Sequence, residues 1–398
     1  FDFVEAFCST AETIQMSENI PTAIVIGASL AGMSAALALA KIGMKVELID
    51  KRETETRQGA VIGLAANGYR AIEEILGKES CVMATLDDKG LPMDGGSLMM
   101  PWAVIREALC EQIKASANIQ FRGGLNLSEF DDCPRNRKVK VKFSNSDLVL
   151  EGDLLVGADG VYSTMRKILG LPCATKAGST VWRGSVDSVK VGSKLSSLLD
   201  KGLVPLRYKE GESYVTVYNF HDKIPGKICW SVSSKDPRAE QCQHPFVLFE
   251  TIEDKDMTGV LRELFDESSR ESIEKSFQLS VIDLRSIDDW SPSGGWGGIG
   301  RVTLIGDAAH ALRPTSGQGV AMAFEDTVIL SRTLRGLVFD LQDFSCCDDA
   351  LRKFENERVE RVKVIWEDQW MRAEAGYKSP ESIEPYTDEY LKWLRDGV

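Results

Sequence analysis

The sequence predicts an α/β protein: a doubly wound, Rossmann-like nucleotide-binding domain, an inserted β-sheet domain and C-terminal helices. Three observations predict it. An uncharged run opens with a short apolar strand at 23–26, a glycine turn at Gly27–Gly32 and an alanine-rich helix over 30–42, and a second strand follows at Lys45–Asp50. That is the βαβ start of a parallel sheet. Buried-strand texture returns at Asp153–Gly157 and, much later, at Arg301–Ile305. Between them, Ser179–Asp187, Val204–Lys209, Ser213–His221 and Lys227–Ser234 favour strands, with one helix near 257–266.

The remaining elements follow in order. Residues 1–20 are aperiodic and predict a loose arm. Periodicity predicts helices over 66–77 and 102–116, and alternation predicts antiparallel strands at 137–143 and 148–150. A long helix is expected over 319–335 and another over 348–373. The acidic, aromatic end (Tyr386, Tyr390, Trp393) predicts a solvated, partly helical surface. The expected division is 20–175 and 285–345 as two parts of the nucleotide-binding domain, 176–284 as the β-sheet domain, and 346–398 as a helical segment.

The 398 residues carry 47 Lys and Arg against 60 Asp and Glu, a net charge of −13 that repels nucleic acid and anionic lipid. Nine cysteines without a CxxC pair indicate free thiols and a reducing compartment, the cytoplasm or an organelle. With three histidines (His221, His244, His310), no metal site is expected. Thr22–Ala40 is uncharged, but Gly27 and Gly32 split it. It reads as strand–turn–helix, so neither a membrane span nor a signal peptide is expected.

Three segments carry chemistry. Gly27-Ala28-Ser29-Leu30-Ala31-Gly32 is GxGxxG with Ser29 in the second glycine's place. Such a turn aims free N–H groups of a helix start at a pyrophosphate. Asp50, followed by Lys51, ends the next strand, where an acid can bind ribose hydroxyls. A generic βαβ packing turn is the alternative. Asp159-Gly160, with Ser163 and Arg166 at fixed offsets, ends the next buried strand; Arg166 could pair with Asp159 or reach a phosphate. An ordinary Asp-Gly turn is the alternative there. The third segment runs from Gly306-Asp307 through Pro314 to a helix opening at Gly317-Gln318-Gly319-Val320. An Asp at a strand end accepts hydrogen bonds from a sugar-like chain, glycines admit a flat ring, and the helix start favours negative charge on it.

In this order and spacing, the three segments resemble the single-component FAD-dependent aromatic-ring monooxygenases, of the salicylate hydroxylase and hydroxybenzoate hydroxylase type and near zeaxanthin epoxidase. The resemblance covers residues 20–345. It implies FAD contacts at Gly27, Ser29, Leu30, Ala31, Gly32, Asp50 and Lys51, with Arg57 and Val61 (in Gly59-Ala60-Val61-Ile62) near the ring and Arg106, beside Leu109, reaching the cofactor. It assigns Asp159 and Gly160, with Ser163 and Arg166, to FAD and NAD(P)H together. It sets Asp307 on the ribityl chain and Pro314, Gly317, Gln318, Gly319 and Val320 around the ring. Trp182-Arg183-Gly184 matches a stretch of the salicylate-type members, and Ser29 departs from the pattern. The implied activity consumes NADPH or NADH and O2 and inserts one oxygen atom into a small aromatic or unsaturated substrate via a flavin hydroperoxide. The WxWxIP motif of the halogenases is absent. With one GxGxxG-like turn, no second nucleotide-binding domain is expected for NAD(P)H.

On the substrate side, His221 is a candidate base for phenol deprotonation or a surface histidine. Tyr214, Thr216, Tyr218 and Phe220 share a strand face, with Trp230 on the next strand; they form a substrate wall or an ordinary half-buried face. Arg183 holds a substrate carboxylate or is a solvated charge, and His310, three residues after Asp307, is an acid–base residue or, as expected here, a structural histidine under the flavin. A reductase or dehydrogenase on the same fold, and a redox-inert flavin-binding protein, are the other readings.

Overall fold

The computed structural model describes residues 20–53, 61–93, 96–133, 135–199, 206–220, 223–224, 226–250, 252–253, 255–268, 274–280, 296, 298–313, 317–340, 344–378 and 387–397. Apart from Ile20, the N-terminal arm lies outside them. Strand β1 (Thr22–Ile26), helix α1 (Leu30–Lys41) and β2 (Lys45–Ile49) form the opening βαβ unit. Then come β3 (Val61–Leu64), α2 (Ala66–Leu76), α3 (Cys81–Lys89), β4 (Leu91–Met93), β5 (Ser97–Pro101) and α4 (Trp102–Ala115). Strands β6 (Ile119–Arg122), β7 (Leu127–Cys133), β8 (Lys138–Phe143), β9 (Ser146–Gly152) and β10 (Leu154–Gly157) lead to the short α5 (Thr164–Ile168).

The inserted region holds β11 (Thr175–Asp187), α6 (Ser193–Leu199), β12 (Leu206–Glu210), β13 (Ser213–Asn219), β14 (Lys227–Ser234), α7 (Arg238–Gln241), α8 (Lys255–Glu267) and β15 (Glu274–Ser280). The chain closes with β16 (Val302–Leu304), α9 (Asp307–His310), α10 (Gln318–Arg335), α11 (Cys347–Lys378) and α12 (Asp388–Asp396).

A five-stranded parallel sheet in the order β16-β10-β1-β2-β6 is the centre. Its strands come from both sides of the insertion, so the nucleotide-binding fold is completed by β16. Strands buried on both faces read as continuous apolar runs, and Ala23, Ile24, Val25, Leu154, Leu155 and Val156 are fully buried. Helix α1 is buried from Gly32 to Leu39, which explains its alanine content: small side chains let it lie close to the sheet and to α10. Small antiparallel sheets β3-β5-β4 and β7-β8-β9 flank this body.

The insert is a five-stranded antiparallel sheet, β12-β13-β14-β11-β15, whose two faces differ. The register Trp182↔Val232↔Val215 and Gly184↔Trp230↔Val217 puts these residues on one face. They form an apolar core with Phe246, Phe249, Leu261 and Phe265 of the covering helical segments. Alternation sends Arg183, Ser185, Thr216, Tyr218, Cys229 and Ser231 to the other face. The insert is richer in helix than expected: α6 and α7 join α8, because the apolar face must be covered. Trp230 is corrected here. It lies on the covered face, 4.8 Å from the Phe265 ring, and donates to Ser268 Oγ at 2.9 Å, so it does not belong with Tyr218.

Among the described residues no helix is long and apolar enough to cross a membrane, and no cluster of His, Cys, Asp and Glu could hold a metal. No disulfide joins any two of the eight described cysteines.

Gly184 makes room for the Trp230 ring, since a Cβ built on it would overlap the indole. Overpacking of this kind costs about 1–3 kcal/mol. Gly184→Ala should lower stability by that amount in a denaturant titration, and unchanged stability would mean the ring is free to move aside.

Candidate functional site

The first turn is built by close backbone approach. Gly27 (φ +104°) sits against Ala158, and a Cβ there would collide with the Ala158 carbonyl; one on Gly32 would collide with the Gly27 carbonyl. Only glycine fits at both, and the consequence is that β1, β10 and α1 meet at one point. Ser29 caps α1 with extended backbone (φ −87°, ψ −172°), and its side chain accepts no bond from the first turn. The free N–H groups there suit an anion. Asp50 stands at the mouth of the turn: Oδ2 accepts from Ala28 N at 2.7 Å and Oδ1 from Arg52 N at 2.9 Å. Leu30 is buried in the core, Ala31 is half-buried, and Lys51 is exposed.

In the second segment, Asp159 Oδ2 accepts from the backbone N–H groups of Thr164 (2.6 Å) and Met165 (3.1 Å), and Ser163 Oγ accepts from Arg166 N at 3.0 Å. Both side chains therefore cap α5. Burial pushes the Asp159 carboxyl above its ordinary range against the Ser163 hydroxyl and these N–H groups. Gly160 (φ +78°) lies beside it with no atom near its missing Cβ. Arg166 is corrected. It neither hydrogen-bonds Asp159 nor turns to a ligand; it is buried, and donates to the carbonyls of Pro172 (3.0 Å), Ala308 (3.1 Å) and Ala309 (3.4 Å). Burial pushes its pKa down to about 10. It clamps α9 from behind and so ties the second segment to the third.

The third segment hangs on a buried charge cluster. Gly306 (φ +56°) donates from its N–H to Asp326 Oδ2 at 2.8 Å, and His310 Nε2 meets the same oxygen at 2.6 Å. Arg358 donates from Nε to Asp326 Oδ1 (2.7 Å) and from Nη1 to Glu325 Oε2 (2.9 Å). Arg361 forks onto Glu325 at 2.6 Å through both Nε and Nη2. His310 is buried against Trp296 (5.2 Å between rings) and is structural, as expected. Asp307 faces the other way. Its side chain is exposed, unlike those of Ala308, Ala309 and His310 beside it. Burial raises its pKa, opposed by His310.

Gly317 begins α10 in the left-handed region (φ +66°) and abuts β3: a Cβ on Gly63 would stand 3.2 Å from Gly317 Cα. Gly319 is open, with nothing within 4 Å of its missing Cβ; Gln318 is buried and Val320 half-buried. Val61 and Met99 pack against Leu91, Phe220, Cys229 and Tyr218, which joins β3 to the polar face of the inserted sheet. Arg183 is half-buried on that face, opposite Ser231 and Glu274. The Arg106 guanidinium lies 5.6 Å from the Trp102 ring centre. Arg57, His221 and Pro314 lie outside the described residues.

The family model for the FAD binding domain matches residues 94–340, more than half of the chain. The chain belongs to this family. An FAD-dependent monooxygenase, dpchE, of Colletotrichum higginsianum is 26% identical over 403 residues, spanning 90% of this chain and 81% of its own. The 3-hydroxybenzoate 6-hydroxylase of Polaromonas naphthalenivorans is 27% identical, spanning 88% of this chain and 87% of its own. The crystal structure of CtdE with FAD and a substrate superposes with a TM-score of 0.77 at 16% identity, covering 95% of this chain and 96% of that one; this likeness is one of fold. The protein is an FAD-dependent monooxygenase, an oxidoreductase that uses NAD(P)H as co-substrate.

The residues present fit FAD. The Gly27–Gly32 cradle has no room for a Cβ on either glycine, the α1 start keeps its N–H groups free of the Ser29 side chain, the Asp307 side chain is exposed, and no atom lies within 4 Å of the missing Gly319 Cβ. Asn67, Glu325, Asp326, Arg358 and Arg361 of this flavoprotein were not legible as site residues. The signal for two of them is visible in retrospect: Glu325-Asp326 interrupts a run of apolar residues in α10, and two acids there demand buried partners.

Burial alone would raise the Asp326 carboxyl, but the charges of His310 and Arg358 and the hydrogen bonds from His310 and Gly306 bring it below its ordinary range. A carboxyl with a depressed folded pKa stabilises above its unfolded value, near 3.9, and loses this as pH falls through the folded value. Arg358→Met removes a counter-charge, so the folded pKa rises and acid unfolding should begin at higher pH than in the parent. At neutral pH the variant should lose about 3–5 kcal/mol, the usual result of leaving a buried charge without its partner. Urea titrations across a pH series check both.

Proposed function

We propose that this monooxygenase inserts one atom of O2 into a small aromatic or unsaturated substrate held between the polar face of the inserted sheet and the α10 start. The observation that carries this reading is the junction of Val61 and Met99 with Tyr218, Phe220 and Cys229, beside the contact of Gly63 with Gly317. It brings the inserted sheet to the α10 start, where no atom lies within 4 Å of the missing Gly319 Cβ. The hydroxylase name of the Polaromonas relative supports an aromatic ring as the substrate.

When bound, FAD would supply the redox chemistry, with NAD(P)H as the two-electron donor, one atom of O2 going to the substrate and the other leaving as water. The chain's own residues bind, orient and exclude water. The α1 start, with Gly27, Ser29 and Gly32, would hold the pyrophosphate, Asp50 the ribose and Asp307 the ribityl hydroxyls. Asp159 and Gly160 would border an entrance shared with NAD(P)H, in keeping with an insert whose described strands form an antiparallel sheet. The first-turn N–H groups of α10 would favour negative charge on the ring. Buried Phe220, Cys229 and Leu91 keep water from one wall. Tyr218 and Arg183 would orient the substrate, and His221, next to Phe220, would take a phenolic proton. The protein would act in a reducing compartment, in keeping with its free thiols.

Asp307→Ala removes a carboxylate acceptor, worth about 1.5–3 kcal/mol, or roughly ten- to a hundredfold in affinity. FAD retained on a desalting column should fall accordingly; parental retention would remove Asp307 from the site. NADPH oxidation should be slow without substrate and rise with it, yielding a product heavier by one oxygen. Gly319→Val puts a side chain where the ring would lie, so it should either lose FAD or divert O2 to hydrogen peroxide. Parental FAD content, turnover and peroxide yield per NADPH in this variant would place the ring elsewhere.

A further inference from the structure

Asn67, the second residue of α2, is fully buried and has no role in the scheme above. Its amide nitrogen donates twice: to Gln318 Oε1 at 3.0 Å and to Glu325 Oε1 at 2.7 Å. The orientation of the amide is dictated chemically. Reversal would turn its oxygen toward a carboxylate and a carbonyl-type oxygen, with no proton between them. The neighbouring Gly68 lets α2 come closest to α10 at the same level, since a Cβ there would stand 2.6 Å from Ala321 Cα. Glu325 is itself fixed by Arg358 and Arg361. A continuous path of short polar contacts therefore runs from the buried charge cluster through Asn67 to Gln318, the first residue of α10.

We propose that Asn67 is a positioning residue for the flavin loop. By holding Glu325 with one N–H and Gln318 with the other, it fixes the first turn of α10 and so the direction of the backbone N–H groups that face the ring. This rests on the reading that residues 317–320 line the ring. Without the Asn67 bond, the Gln318 oxygen loses a donor inside the protein and the first turn relaxes toward other directions. The electrostatic stabilisation of negative charge on the ring then weakens.

The test uses the purified, FAD-loaded protein and reads the flavin's visible absorption band and its oxidised-to-reduced ratio against a reference dye. Asn67→Ala, and Asn67→Ser should alanine prevent folding, are expected to change the band and shift the ratio toward oxidised flavin about two- to tenfold, the effect of one hydrogen bond. Gln318→Ala should shift it the same way. Because both act through one contact, the double variant should move no further than the larger single shift. A purely structural Asn67 would lower the unfolding temperature and leave the band and the ratio at parental values, which overturns the proposal. Additive shifts overturn the route through Gln318. Gly319→Val separates the two levels: if it loses FAD or alters the flavin band and the Asn67 variants do neither, the positioning role fails and the loop reading stands. If no variant does either, the loop reading fails with it.

Discussion

Two adjacent acids in the middle of α10, Glu325 and Asp326, are buried without access to water, and much of the molecule is arranged to give them partners. Arg358 and Arg361 come from α11, His310 from α9, and the Gly306 N–H from the turn beside Asp307. Arg361 also reaches the carbonyl of Leu394 at 2.7 Å and lies 4.6 Å from the Trp393 ring. The C-terminal helix α12 thus docks on the same cluster, with Leu394 buried, and is more than the solvated surface its composition suggests. Buried ion pairs are poor sources of net stability, and specificity of arrangement is the use best attested for them. Here the arrangement specified is the relation of α9, α10, α11 and α12 to the turn that carries Asp307.

A second constraint is backbone proximity. Gly27 against Ala158, Gly32 against Gly27 and Gly68 against Ala321 are three places where main chains approach too closely for a Cβ, and Gly63 against Gly317 is a fourth where one would be tight. Each lies where two of the three sequence segments, or a segment and its support, must meet. The inserted sheet solves a different problem with the alternation of its strands. One face is apolar and covered by α6 to α8; the other carries hydroxyls, an arginine and aromatic edges toward the nucleotide-binding body. In Trp182-Arg183-Gly184 the three roles are consecutive: core, site face, and space for Trp230.

The opening βαβ unit, β10, β16, α10 and most strands of the insert were legible because their apolar runs and glycine turns are local signals. The sheet β3-β5-β4 was not. Its strands are three to five residues long, too short for a period to register, and they exist because they pair with one another and with the loop at Gly317. Helix α3 and the small helices of the insert were missed for a related reason: they form to cover a face whose existence depends on distant strands. Arg166 was misread since an arginine near an Asp-Gly turn looks the same whether it turns outward or inward. Its partners, the carbonyls of Ala308 and Ala309, are some 140 residues away. Arg358 and Arg361 sit in a stretch that reads as a solvated charge run, and only the burial of their partners in α10 makes them structural.

The topology of the parallel sheet has a consequence for how the protein is made. Strand β10 lies between β1 and β16, and β16 is encoded after the entire inserted sheet. On the ribosome, the outer edge of an apolar strand, Leu154–Gly157, therefore waits for its last neighbour. At about 5–20 residues per second the interval is on the order of ten to thirty seconds. Antiparallel strands β12, β13 and β14 follow one another in sequence and can pair within that time, whereas the parallel body is held open by its own connectivity. High sequence separation slows such pairing and leaves an unpaired edge available to other chains.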